Sequence, residues 1–233
     1  MPNLSTLKKL IVSALWAGLW AGLLLTALQS YQVIPSLLHA EVYDQAADHQ
    51  AHVDGAVHQH EPDAWQPTNG AERTLFTALA NISLAVGFAL LLGAASTLRG
   101  GINSWRQGLY WGLAGYSIFF VAPSLGLPPE LPGTLAADLE ARQLWWLMTV
   151  FDTALGLWLL VFAKTKLNQL FGAVLLLSPH VIGAPQPEVQ GSLAPAELAS
   201  TFIMATAFAN ALFWLTLGAL MGLMSHQNKM IKS

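Results

Sequence analysis

A set of long, nearly uninterrupted apolar runs constrains this chain more than any other feature. A helix crossing roughly 30 Å of hydrocarbon needs about 20 such residues, and in lipid each segment must satisfy its own backbone hydrogen bonds. Six segments reach or approach that length: 10–29, 74–98, 108–127, 144–163, 167–182 and 199–224. The fifth is the shortest and ends in Ser178-Pro179-His180, so it reads as a tilted full span or a shallow one. Only 10% of the 233 residues are charged, against about 25% in a soluble domain. That is too few to coat a surface facing water. The expected fold is all-α: a polytopic helical membrane protein of six transmembrane helices, with five as the alternative count. It forms one integral membrane domain over residues 1–233.

Charge placement orients the bundle. With the N-terminus inside, six spans put Lys8, Lys9, Arg99, Arg106, Lys164, Lys166, Lys229 and Lys232 on one side, with no acid among them. The other side receives Arg73, Arg142 and every acid except Asp152. Basic residues beside span ends mark the cytoplasmic face, so both termini are expected there. Five spans would place Lys229 and Lys232 among the acids. Lys8-Lys9 before an apolar run also has the look of a signal peptide. The run exceeds the usual core of about 7–15 residues and no small-x-small cleavage site ends it, so an uncleaved first span is expected. Residues 31–73 then form an extracytoplasmic loop rich in His and acids, and the other outer connections, 128–133 and 184–188, are short and Pro-rich.

The spans share a local pattern. Outward-running spans end in Pro35, Pro123 and Pro179, followed by Glu41, Glu130 and Glu188. Inward-running spans carry a polar residue after a Thr: Asn81 after Thr77, Asp152 after Thr149 and Asn210 after Thr206. Three helical hairpins of similar design would give this pattern. Chance in a sequence rich in Ala, Leu and Thr would give it too.

Five of the seven His residues lie in the expected outer loop. His39, His49, His52, His58 and His60 stand there among Glu41, Asp44, Asp48, Asp54, Glu61 and Asp63. Imidazole suits cobalt, nickel, copper and zinc, and carboxylates add oxygen ligands. His49 and His52 would share a face if helical, while His58 and His60 alternate as an extended chain does. The spacing defines no single tetrahedral centre. It reads as a multidentate metal trap, and a solvated polar loop or a pH sensor would use the same residues.

Asp152 lies eight residues into its span, roughly 12 Å deep at about 1.5 Å per residue. A carboxylate there costs at least about 2.5 kcal/mol, so it should face the bundle interior or a wet cavity. It is a candidate metal step, proton acceptor or both, against the plainer role of a neutral acid bridging helices. Pro179 removes a backbone donor and frees a carbonyl one turn back, which beside His180 makes a candidate cation step. Asn81 and Asn210 are candidate pathway amides, although such groups often just bridge helices at about 0.6 kcal/mol each.

The remaining features are structural. Trp65, Trp105, Trp111, Trp145 and Trp146 lie at span ends as interfacial anchors, while Trp16, Trp20, Trp158 and Trp214 are deeper and read as packing or lipid contacts. Arg73 and Arg142 stand beside Glu72 and Glu140 as ion-paired anchors. Gly18 with Gly22, and Gly218 with Gly222, make close-packing faces. The chain has no Cys, which excludes disulfides and thiolate chemistry. A net charge of −3 without a basic patch gives nucleic acid no electrostatic footprint. No Gly-Lys-Ser/Thr phosphate loop and no Ser-His-Asp constellation is present, so enzymatic activity and a resident cofactor are not expected.

Several stretches resemble a known family. They are Leu38-His39-Ala40-Glu41-Val42-Tyr43, Glu72-Arg73-Thr74-Leu75-Phe76, the run from Gly126 to Gly133, Ala141-Arg142-Gln143-Leu144-Trp145-Trp146, and the run from Pro179 to Pro187. In order and combination they resemble the CbtA family of cobalt transporter subunits. The resemblance implies cobalt uptake for cobalamin supply across a bacterial inner membrane, with a small single-span, His-bearing partner, CbtB. That family is often assigned five spans, and it supplies no site residues to carry over. The expected activity is import of a divalent transition metal, Co2+ or alternatively Ni2+ or Zn2+, by a chain embedded in the lipid bilayer, alone or as a homo-oligomer. The alternative is a scaffold subunit that transports nothing.

Overall fold

The computed structural model describes residues 4–53 and 67–230, with side chains at Leu4 and over 7–44 and 67–225. The described residues form six helical runs and no strand. Helix α1 covers 4–53: it is α-helical over Leu4–Leu28, π-helical at Gln29–Val33, and α-helical again over Ile34–Val53. Helix α2 is Ala71–Thr97. Helix α3 covers 105–124, with a π-helical turn at Ser117–Val121 between Trp105–Tyr116 and Ala122–Ser124. Helices α4, α5 and α6 are Leu139–Phe162, Lys166–Ile182 and Ala196–Met230.

Every expected span falls on a helix. Among the described residues, four stretches are long and apolar enough to cross a membrane: Leu7–Asp44, Ala71–Thr97, Leu139–Phe162 and Ala196–Ser225. The other two are shorter: α3 is broken by its π turn, and α5 has 17 residues, about 26 Å at 1.5 Å per residue. The start of the expected 31–73 loop is corrected. The helix does not stop near Gln29 but continues to Val53. Ala40, Glu41, Gln45, Ala46, Ala47, Gln50 and Ala51 are strong helix formers, and their polarity, not their backbone preference, made them look like loop. Pro35 and Pro123 each stand two residues after the end of a π turn. A proline has no N–H for an i→i−4 bond, and the widened turn accommodates that loss.

The chain divides into two compact units, one from residues 1–30, 67–116 and 208–233, the other from 31–66 and 117–207. In the first, α1 packs on α2 through Gly18 and Gly22, where an added Cβ would come within 2.6 Å of Val86 and Ile82. Helix α3 meets α6 even more closely. Gly108 lies against the Gly218 carbonyl, Gly112 against the Trp214 carbonyl, Gly115 against the Trp214 ring, and Gly222 against Ser104. Trp214 and Phe213 are 2% and 1% exposed, and the Phe88 ring sits 4.6 Å from that of Trp214. Trp214 is therefore core, while Trp16 and Trp20 are exposed.

In the second unit, α4 and α5 make an antiparallel hairpin. Asp138 caps α4 by accepting from the Ala141 amide at 2.9 Å, and Thr165 caps α5 by accepting from Asn168. Gly156 and Gly172 face each other so closely that a Cβ on either would lie 2.8 Å from the other's carbonyl oxygen. The two Pro-rich connections are joined by an antiparallel bridge between Thr134 and Ser192, flanked by Leu135 N–H to Gly191 O and Leu193 N–H to Gly133 O. Arg142 pairs with Glu130 at 2.7 Å, not with the adjacent Glu140. In the first unit, Arg73 donates to Asn69 Oδ1 at 2.7 Å, and Glu72 accepts from Thr68.

Candidate functional site

The most chemically distinctive place in the second unit is built around a proline. Pro179 lies inside α5 and lacks the N–H that would bond the Leu175 carbonyl one turn back. Ser178 fills that vacancy, its hydroxyl 2.9 Å from the Leu175 oxygen. The same hydroxyl lies 2.9 Å from Asp152 Oδ2 on α4. The freed carbonyl foreseen from sequence is thus present, joined to the intramembrane carboxylate by a side chain that sequence reasoning did not single out. The Ser-Pro dipeptide was the available signal.

Asp152 is 13 residues after Leu139 and 10 before Phe162, near the middle of α4, and half-buried. It turns toward α5 rather than away from the hairpin. The Pro179 carbonyl accepts from the Trp145 indole at 3.2 Å and from the Gly183 amide at 3.0 Å, where Gly183 ends the helix with φ 85°. Trp145 is 5% exposed, so it is corrected from interfacial anchor to core. Its ring meets His180 edge-on at 6.3 Å. Thr149 and Thr153 on the same helix are 0% and 3% exposed. The Thr149 hydroxyl bonds the Trp145 carbonyl, whereas that of Thr153 has no hydrogen-bond partner among the described residues.

The other expected site residues lie elsewhere. Asn81 is buried in the first unit, and its amide donates to Thr26 Oγ1 at 3.1 Å and to Gln29 Oε1 at 2.7 Å. Thr26 in turn donates to the Gly22 carbonyl. Asn81 is thus a helix-bridging amide, paired back to α1, while Asp152 pairs forward to α5. The two do not occupy equivalent places, which weakens the three-hairpin pattern. Asn210 is half-buried on α6. His39 is exposed and Glu41 half-buried on α1. His39 lines a cleft of about 490 Å³ with Val42, Tyr43, Pro195, Glu197, Leu198 and Thr201. Glu197 was not foreseen as a neighbour, because it is far away in sequence. His49 and His52 fall in the helical stretch Ile34–Val53, but their side chains lie outside the described residues, as do His58 and His60 altogether. Among the described residues no three His, Asp or Glu side chains gather into a metal centre.

Long apolar helices, glycine-lined crossings and a carboxylate placed mid-helix define a polytopic helical membrane protein. The family model described as "Probable cobalt transporter subunit (CbtA)" matches residues 7–226, and the chain belongs to that family. No curated protein and no solved structure matches it.

Proposed function

We propose that this subunit imports a divalent transition metal, cobalt first, and that Asp152 is the charged step of the pathway. The carrying observation is Asp152 bonded to Ser178 beside a proline-freed carbonyl, near the middle of α4 and about one turn before the end of α5. A charge at that depth is expensive, and ionisable groups kept there mark pathways. Outside the membrane, the His and acid residues of 31–73 collect the ion, with His39 and Glu41 on the helical extension passing it on and His180 serving as an imidazole step. Glu197, which shares a cleft with His39, adds a carboxylate there. Both termini face the cytoplasm of the cell that carries the chain in its inner membrane, and a small single-span, His-bearing subunit completes the assembly. Nickel and zinc compete at the capture segment, since imidazole and carboxylate accept all three.

The test is Co2+ entry into liposomes holding the full chain, followed with an enclosed metal-quenched dye. Asp152→Asn should lower the rate about a hundredfold, on the scale by which metal-site changes act. Wild-type rates in Asp152→Asn and in a chain lacking residues 44–63 would refute the proposal.

A further inference from the structure

Four cations converge at one end of the first unit. Lys8 and Lys9 lie in the first turns of α1, Arg99 follows α2 and Arg106 begins α3, with no acid anywhere in 1–30, 73–116 or 208–233. Helices α1 and α2 run antiparallel, since Leu10 meets Gly93 and Gly22 meets Ile82. So do α3 and α6, since Gly108 meets Gly218 and Ser104 meets Gly222. The start of α1, the end of α2, the start of α3 and the late part of α6 therefore share one end, where they enclose a cavity of about 240 Å³. Lys9, Ser13, Ser96, Asn103 and Ser225 line it. Its inner side is packed, because an added Cβ at Gly93 would come within 2.5 Å of Leu10 and 3.2 Å of Met221.

The lining selects the sign of the ligand. An ammonium in the wall, on segments without an acid, repels a metal ion and attracts an anion. The carbonyls that would oppose an anion are occupied: the last ones of α2 accept from the Arg99, Gly100 and Gly101 amides, and that of Gly101 accepts from the Asn103 amide at 3.2 Å. Ser96 and Thr97 give their hydrogens to carbonyls of α2 itself. Lys9, Ser13 and Ser225 are the remaining side-chain donors of the lining, and an ammonium has three hydrogens to give. Gly100 and Gly101, at φ 86° and 80°, border open space, since an added Cβ would meet nothing among the described residues within 4 Å. The volume falls below the roughly 300 Å³ at which sites for drug-sized molecules begin, which suits a single headgroup. Around the cavity Leu4, Leu7, Leu98 and Trp105 are exposed, and Arg106 lies over the Trp105 ring at 5.5 Å. At a membrane surface such side chains meet acyl chains and headgroups, contacts that a lipid uses and a free phosphate does not.

We infer that this cavity binds the phosphate of an anionic membrane phospholipid, with Lys9 as its cation and Ser13 and Ser225 as hydroxyl donors. The inference does not depend on what the chain transports. The test is native mass spectrometry of the full chain in detergent, titrated with phosphatidylglycerol. The lipid should stay bound, and phosphatidylcholine should not displace it. Lys9→Gln should weaken retention about tenfold, one decade in Kd, and Lys9→Arg should keep most of it. Lys8→Gln removes the same charge one residue away, from a side chain outside the cavity lining, and should change retention less than about twofold, as an exposed and screened charge does. Ser225→Leu fills the cavity without changing charge and should also weaken binding; if it fails to fold, the paired lysine variants still decide. Equal losses in Lys8→Gln and Lys9→Gln would overturn the site, because diffuse attraction to anionic lipid treats neighbouring lysines alike. Binding unchanged in a folded Ser225→Leu variant would overturn it too. Displacement of the lipid by millimolar inorganic phosphate would overturn the lipid assignment in favour of a free anion.

Discussion

Two polar groups buried between helices behave differently. Asn81 sits in the first unit, and its amide hydrogens go to Thr26 and Gln29, with Thr26 closed in turn on a carbonyl of its own helix. Asp152 sits in the second unit and meets one side chain, Ser178, whose hydroxyl also meets the Leu175 carbonyl. The first arrangement fastens two helices. The second leaves ligand capacity over, and a group that costs stability is kept where it performs a task. The prolines sharpen the contrast. Pro35 and Pro123 are accommodated by π turns, whereas Pro179 stands in a regular helix and passes its vacancy to Ser178.

The comparison can be broken in several ways. The largest effect is expected at the tight crossing of the first unit: Gly218→Leu should yield no monodisperse protein by size exclusion, because its side chain would enter the Gly108 carbonyl. Gly87→Leu, where nothing among the described residues lies within 4 Å, should elute as wild type. Next comes Asp152→Asn, with cobalt entry down about a hundredfold and a thermal midpoint close to wild type. If that variant unfolds while transport per folded molecule persists, Asp152 is a fastener like Asn81. Pro179→Ala returns an N–H to the Leu175 carbonyl. It should raise thermal stability, since an interior proline costs a helix about 3 kcal/mol, and slow cobalt entry. The smallest change is Asn81→Leu. It should cost about 1–2 kcal/mol in unfolding, at the upper end for interhelical polar contacts, and leave transport per folded molecule unchanged. A transport defect there would put Asn81 back in the pathway.

The helices were legible because apolar length is local information. Asp152 was legible for the same reason, as a charge inside an apolar run. Its partner was not, since Ser178 lies 26 residues on, and only the register of the α4–α5 hairpin brings the two together. Trp145 was misjudged because position along a span says nothing of depth within a bundle; the Pro179 carbonyl and the space at Gly126 draw its indole inward. The Gly108, Gly112 and Gly115 row has helical spacing and was there to be found. The extension of α1 was hidden by its acids, although its alanines and glutamines favour helix.

The facing glycines at 156 and 172 bear on how this protein can change over generations. Each already has the smallest side chain there is, so an enlargement at one cannot be offset by a reduction at the other. Drift at this crossing has no compensating partner, and lineages should keep both positions fixed even where the metal carried has been exchanged.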